Sequence, residues 1–375
     1  MTNRCRVCER DSYLISDSIG VCLSCIRDNH EESEPHLIEA HAKARRRFGL
    51  PAIPPRTAGG VPCTLCANEC VIGKGDRGYC GLRSNLDGVF TSVTSARKAA
   101  LSYYLDPQVT NCCAAWFCPA GTGAGYPKHA CTSGPEVGYY NLALFFYGCN
   151  FDCLYCQNAS HKQIAEAPRC DVRTLVSLSL ENKRISCWCF FGGSPEPQLP
   201  FALSASKTML DSKPESRVLR ICFEWNGTGN RFLVERAAEL ALRSGGNIKF
   251  DLKCHSETVS KALSGVSNRR SYENFEMLFR KYGTERPHLP LLTATTLLVP
   301  GYVDALEVEK IAVFLADLDE DIPYSLLVFH PDFMMADLPI TPYQQVEECY
   351  RVAKKRLARV NVGNLASLGI RSWPT

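Results

Sequence analysis

From about residue 140 onward, apolar runs of strand length alternate with amphipathic stretches. The runs 141–147 (NLALFFY), 185–191 (ISCWCFF), 218–224 (VLRICFE), 247–252 (NIKFDL), 291–299 (LLTATTLLV), 324–329 (YSLLVF) and 358–363 (ARVNVG) predict strands. Between them, 231–244, 303–317 and 343–357 repeat apolar residues at the three- and four-residue intervals of a helix. Repeated strand–helix units predict an α/β fold with a parallel sheet covered by helices, and six or seven such units fit a partial or full (β/α) barrel. Before residue 140 the pattern breaks down. A basic helix is expected over 34–48, and 49–62 reads as a linker with four prolines and three glycines. The stretches 63–80 and 112–131 are cysteine-rich loops. The expected division is therefore 1–48 (a four-cysteine finger and basic helix), 49–140 (a cysteine-rich metal-binding segment) and 141–375 (the barrel).

Composition adds one strong signal. Of 375 residues, 45% are hydrophobic and 22% charged, so a full core can form. Lys and Arg number 42 against 39 Asp and Glu, and a net charge of +3 argues against an electrostatic nucleic-acid or membrane binder. No apolar run approaches the roughly 18 residues of a membrane span. The start carries Cys5, Arg6 and Cys8 rather than an apolar signal stretch, which leads us to expect a cytoplasmic protein. The 21 cysteines are too many for ordinary use in a chain too long to be a disulfide scaffold. A reducing compartment then favours thiolate ligation of metal.

The sharpest motif is Cys149-x3-Cys153-x2-Cys156, with Tyr155 just before the last cysteine, directly after the strand expected at 141–147. Barrel folds place their chemistry in such post-strand loops. Three thiolates can hold three irons of a [4Fe–4S] cluster, leaving one iron open for a ligand, whereas a closed electron-transfer cluster takes four. The plainer alternative is a zinc site completed by a distant cysteine.

This motif resembles that of radical S-adenosylmethionine (SAM) enzymes, and the fold expectation becomes a barrel of radical SAM type. The resemblance implies that the open iron chelates SAM. One-electron reduction then releases a 5′-deoxyadenosyl radical, which takes hydrogen from the substrate. Gly192-Gly193-Ser194-Pro195-Glu196-Pro197, past the second strand, looks like the family's glycine motif at the SAM amino group; a Gly/Pro turn is the alternative. Asp251-Leu252-Lys253 resembles the Asp-x-Lys of glycyl-radical activases. It and Glu224-Trp225-Asn226-Gly227 sit where barrels place polar groups, or they are ordinary strand-end ion pairs. His330 and Asn364, after the sixth and seventh strands, are expected to contact SAM or substrate. The implied catalytic residues are Asp251, Lys253 and His330. Tyr155, Gly192, Gly193, Glu196, Asn226 and Asn364 would bind the cofactor.

The nearest subfamily likeness is to AmmeMemoRadiSam-type proteins, related to pyruvate formate-lyase activase. It is carried by Cys63-Thr64-Leu65-Cys66-x3-Cys70, by Gly78-Tyr79-Cys80-Gly81, and by the segment from Phe329 through Asp337-Leu338-Pro339 to Asn361–Asn364. The finger at 5–25 and the cysteines around Cys112 depart from that subfamily and suggest a specialised branch.

Cys5, Cys8, Cys22 and Cys25 form two C-x2-C knuckles that suit a structural zinc or iron. Cys63, Cys66, Cys70 and Cys80 could close a second four-thiolate site, and Cys112, Cys113, Cys118 and Cys131 a third. Cys187 and Cys189 must face one side of a strand, as small core residues or as thiols toward a radical chamber.

Two function classes compete. The first is a radical SAM enzyme that modifies a protein residue with help from a low-potential electron donor. Overall size and cysteine richness resemble the enzymes that C-methylate methyl-coenzyme M reductase, including its glutamine methyltransferase, with cobalamin as methyl carrier. No Asp-x-His-x-x-Gly stretch marks a standard cobalamin domain, so cobalamin would sit against the barrel. Glycyl-radical activation is the alternative chemistry. The second class is a non-enzymatic metal-binding adaptor, which has no need for an open three-cysteine loop followed by glycine and acidic signals at successive strand ends.

Overall fold

The computed structural model describes residues 2–373. Its centre is one nine-stranded sheet. In chain order the strands are β1 (Lys98–Pro107), β2 (Tyr140–Phe146), β3 (Arg169–Asp171), β4 (Ile185–Gly192), β5 (Arg220–Trp225), β6 (Ile248–Asp251), β7 (Leu292–Leu298), β8 (Tyr324–Val328) and β9 (Val360–Gly363). The spatial order is β9-β8-β7-β6-β5-β4-β2-β1-β3. Seven strands, β2 and β4 to β9, run parallel, and each corresponds to one of the predicted apolar runs. The order is linear, so the barrel is partial, open between β9 and β3.

The sheet also takes in β1, which sequence periodicity did not show. β1 pairs antiparallel with β2, Leu101 opposite Phe146, and with β3. Its outer half is solvent-exposed, so no alternation of buried positions announces it.

Helices return the chain between strands: α3 (Val172–Glu181), α4 (Leu199–Ser212), α5 (Arg231–Ser244), α6 (Glu257–Ser264), α7 (Arg269–Tyr282), α8 (Ala305–Ala316) and α9 (Tyr343–Lys354), after the N-terminal α1 (Leu23–Asp28) and α2 (His30–Arg46). Asp171 caps α3, Asn230 caps α5 and Asp304 caps α8, each accepting a backbone N–H of the first turn. Gly245 ends α5 with φ +81°, the left-handed conformation that suits glycine.

Alternation along each strand sorts the side chains. Trp188 and Phe190 of β4 pack outward among the helices, fully buried. Cys187 and Cys189, one residue out of phase, face the barrel interior. Cross-strand register then lines up Ala143, Cys189 and Cys222 in one interior row.

The N-terminal region does not stand apart from the barrel. α2 begins at His30, earlier than the expected 34–48, and buries Leu37, Ala40, His41, Ala44 and Arg45 at helical spacing. The basic helix is thus an inward-facing one on this side. Arg27 of α1 forms a two-bond pair with Asp304 at 2.8 Å and reaches Glu307 at 2.8 Å. Ser16 and Asp17 donate to Asp337 at 3.0 and 2.7 Å, and Tyr302 donates its hydroxyl to the Val21 carbonyl at 3.0 Å. No helix among the described residues is long and apolar enough to cross a membrane.

Candidate active site

The loop after β2 is held open by its own short side chains. Asn150 donates to Thr228 Oγ1 at 2.7 Å, accepts from Asn226 Nδ2 at 2.8 Å, and its carbonyl accepts from Asn68 Nδ2 at 2.7 Å. Asp152 points the other way, into protein. It meets Lys162 Nζ at 2.5 Å, His41 Nδ1 at 2.8 Å and Arg45 at 3.3 Å, all of them buried. Burial alone would raise the Asp152 carboxyl, but the hydrogen bond from His41 and the charge of Lys162 hold it well below the usual carboxylate range. With Asn150 and Asp152 fixed, Cys149, Cys153 and Cys156 all line one cavity of about 170 Å³ at the C-terminal ends of the strands.

The next wall comes from the end of β4. Gly192 has φ +110°, and a Cβ on Gly193 would stand 2.4 Å from the Gly148 carbonyl oxygen, so only glycine lets this turn lie against the cysteine loop. Glu196 does not line the cavity. It is buried behind the wall, bonded to Ser194 and accepting the Gly227 N–H at 2.7 Å, and burial pushes its carboxyl up to about 7. Ser194 accepts in turn from Asn226 Nδ2 at 3.0 Å. Glu196 therefore braces the β4 and β5 ends rather than touching a ligand.

Asn226, Asp251 and Lys253 line the cavity, with Asp251 and Lys253 ion-paired and Lys253 lying 5.7 Å from the Tyr155 ring centre. Burial raises the thiols of Cys149 and Cys156, the latter to about 11. A metal would have to displace their protons, as thiolate ligation requires. His330 and Asn364 are not among the lining residues. Asn364 instead donates to the Val328 carbonyl at 3.2 Å, tying the ends of β8 and β9.

Two cavity-lining residues, His161 and Thr295, were not legible from motifs. Tyr155 Oη, His161 Nδ1, Trp225 Nε1 and Thr295 Oγ1 are buried without a hydrogen-bond partner. Such groups are costly unless something pairs with them. Three soft thiols, a glycine cradle and these orphaned donors and acceptors together fit an iron–sulfur cluster with a polar organic ligand beside it.

The other cysteines separate by environment. Cys5, Cys8, Cys22 and Cys25 bring their sulfurs within 4.8 Å of one another, with Cys5–Cys25 at 3.8 Å and Cys8–Cys22 at 3.7 Å. That is the closure a single tetrahedral ion needs. Cys63, Cys66, Cys70 and Cys80 line one small pocket against Pro197. Cys112, Cys113 and Cys118 do not gather with Cys131, whose backbone N–H donates to Glu136 at 2.8 Å. Cys112 and Cys118 line a second cavity with Cys187, Cys189 and Cys222, and Cys113 groups with Cys112 and Glu224. Cys170, Cys254 and Cys349 are plain core residues.

Comparison with known proteins identifies the domain: residues 144–315 match the family described as the Radical SAM superfamily, so the chain carries a radical SAM domain, which implies a [4Fe–4S] cluster and SAM. The chain is 24% identical over 314 residues to an uncharacterized protein of Methanocaldococcus jannaschii, covering 81% of each. It is 29% identical over 187 residues to a putative glycyl-radical enzyme activating enzyme of the same organism, covering 49% of this chain and 66% of that one. Among solved structures, Streptococcus suis SuiB bound to S-adenosylmethionine aligns with 13% identity and a TM-score of 0.40, over 58% of this chain and 48% of that one. A domain of pyruvate-formate lyase-activating enzyme from Bacteroides vulgatus aligns with 17% identity and a TM-score of 0.37, over 47% and 98%.

Proposed function

We propose that this protein reductively cleaves SAM and uses the resulting 5′-deoxyadenosyl radical to take a hydrogen atom from a residue of a protein substrate. The observation that carries this reading is the meeting of Cys149, Cys153 and Cys156 with Gly193, Asn226 and Lys253 around one cavity. When bound, a [4Fe–4S] cluster would supply the electron that cleaves SAM, drawn from a low-potential donor. Cys149, Cys153 and Cys156 would hold three of its irons and leave the fourth open. The Gly192–Gly193 turn and Asn226 offer close polar contact to the methionine portion of SAM, and Asp251 with Lys253 provides a paired charge of each sign beside it. Phe151, Phe191, Trp225, Leu297 and Leu327 line the rest of the cavity and exclude water from a radical. His330 and Asn364 act from outside the cavity, on the strand ends that a substrate would approach.

The likeness to a putative glycyl-radical activating enzyme, together with the Asp251–Lys253 pair, supports hydrogen abstraction from a protein backbone as the reaction. C-methylation of a glutamine in methyl-coenzyme M reductase, with cobalamin as carrier, is the second chemistry. Both matched relatives come from Methanocaldococcus jannaschii. Incubation with SAM and a strong reductant, with and without cobalamin, separates the two. S-adenosylhomocysteine that depends on cobalamin would establish methyl transfer. Its absence, with 5′-deoxyadenosine formed, would establish hydrogen abstraction alone. The four-thiol group at Cys5–Cys25 is assigned as a structural zinc or iron site, and the 21 unbridged thiols suit a reducing cytoplasm.

A further inference from the structure

A second cavity, of about 400 Å³, lies below the first, toward the N-terminal ends of the strands. The two share Asn158, Phe191, Glu224 and Lys249 as a common wall. Its floor is the loop carrying Cys112 and Cys113, pinned to the barrel where Trp116 Nε1 donates to Ser325 Oγ at 3.0 Å and Ser325 Oγ donates to the Cys113 carbonyl at 2.9 Å. Cys112, Cys118, Cys187, Cys189 and Cys222 line this cavity. Cys187 and Cys222, from adjacent strands, stand 3.6 Å apart. Cys112, from the floor, and Cys189, from β4, both lie 3.1 Å from Lys249 Nζ.

Lys249 is 2% exposed, and a buried ammonium needs negative charge beside it. The carboxylate within reach is Glu224 at 3.1 Å, whose side chain is 43% exposed. Arg220, the other buried cation here, has its own partner in Glu136, at 2.7 and 2.6 Å. The other groups in contact with Lys249 are the sulfurs of Cys112 and Cys189, which would carry matching negative charge as metal-bound thiolates. A single tetrahedral ion, with metal–sulfur distances of about 2.3 Å, draws four sulfurs onto one point. Here Cys112, Cys187, Cys189 and Cys222, from the floor loop, β4 and β5, line one cavity of about 400 Å³, more room than a single ion fills, with the Lys249 ammonium in contact with two of their sulfurs.

We propose that Cys112, Cys187, Cys189 and Cys222 hold an iron–sulfur cluster of the four-thiolate kind, two thiolates to each iron, inside the barrel beneath the SAM cavity. Such a cluster is anionic, and Lys249 supplies the matching charge. Its placement behind Phe191 and Glu224 puts a second redox-capable group against the wall of the chamber where the radical forms.

The direct test is anomalous diffraction from crystals of the whole protein after anaerobic reconstitution with iron and sulfide. Iron density between Cys112, Cys187, Cys189 and Cys222, in addition to that at Cys149–Cys156, is the expected result. Iron at Cys149–Cys156 with none in the lower cavity, or zinc there instead, would overturn the proposal. In solution, the double variant Cys187→Ser/Cys222→Ser should lose about two irons and about two sulfides per chain. It should keep the cluster whose spectrum changes on adding SAM. Unchanged iron and sulfide in that variant would equally refute the assignment, and the crystal measurement on the unaltered chain stands even where the variant fails to fold.

Discussion

The His41 imidazole Nδ1 lies 2.8 Å from the Asp152 carboxylate, which ties α2 into the middle of the loop that carries Cys149, Cys153 and Cys156. The same carboxylate receives Lys162 and Arg45, so one buried anion holds three basic side chains. The N-terminal region is thereby part of the construction of the candidate active site.

Asp152→Asn should destabilise the protein by about 3–5 kcal/mol, because Lys162 and Arg45 would stay buried without their counter-charge. Urea unfolding of the purified variant measures this. A loss below about 1 kcal/mol would show that the three basic groups do not depend on Asp152.

Cys153→Ala should abolish SAM cleavage while the four-thiol group at Cys5–Cys25 keeps its metal. Product analysis together with metal content per chain checks both halves. Retained cleavage would refute the placement of the cluster.

Gly193→Ala should weaken SAM binding at least about tenfold, equivalent to about 1.4 kcal/mol, because the added Cβ pushes the β4 turn away from Gly148 and the cysteine loop. Calorimetric titration of the reconstituted variant with SAM reads the change. Unaltered affinity would mean that this turn does not contact the ligand.

Glu196 gives a pH signature. Its folded-state carboxyl titrates at about 7, above the ordinary value of 4.5. The proton is therefore held more tightly in the folded state. Its contribution is fully present below about pH 4.5 and is lost as pH rises through about 7, for a change of about 3 kcal/mol. Glu196→Gln keeps the neutral shape and removes the titration. The stability difference between wild type and this variant should shift against wild type between pH 5 and pH 7.5, and a flat difference across that window would contradict the assignment.

The parallel strands were legible in the sequence because each is a short apolar run buried on both faces, and the cysteine loop because its spacing is a strong pattern. The interior rows were only half legible. Strand alternation puts Cys187 and Cys189 on one face, but register alone brings Cys222 beside them, and register is set by the neighbouring strands. The grouping expected from proximity in sequence, Cys112 and Cys113 with Cys131, gives way to one with strand cysteines more than seventy residues on. A short loop can fold across a barrel floor without any local sign of what it will meet. Lys162 and His161 were invisible for a similar reason: they follow the cysteine motif with no spacing of their own, and only burial against Asp152 and the cavity gives them roles. Glu196 was legible as a strand-end acid, but its direction, inward to Gly227 rather than outward to a ligand, needed the fold.

The central claim is most directly tested by one anaerobic chromatogram. The reconstituted full chain is incubated with SAM and a strong reductant, and 5′-deoxyadenosine is quantified. Formation of 5′-deoxyadenosine, lost in Cys153→Ala, is the expected result. No 5′-deoxyadenosine from protein shown to carry its cluster at Cys149, Cys153 and Cys156 would contradict the account.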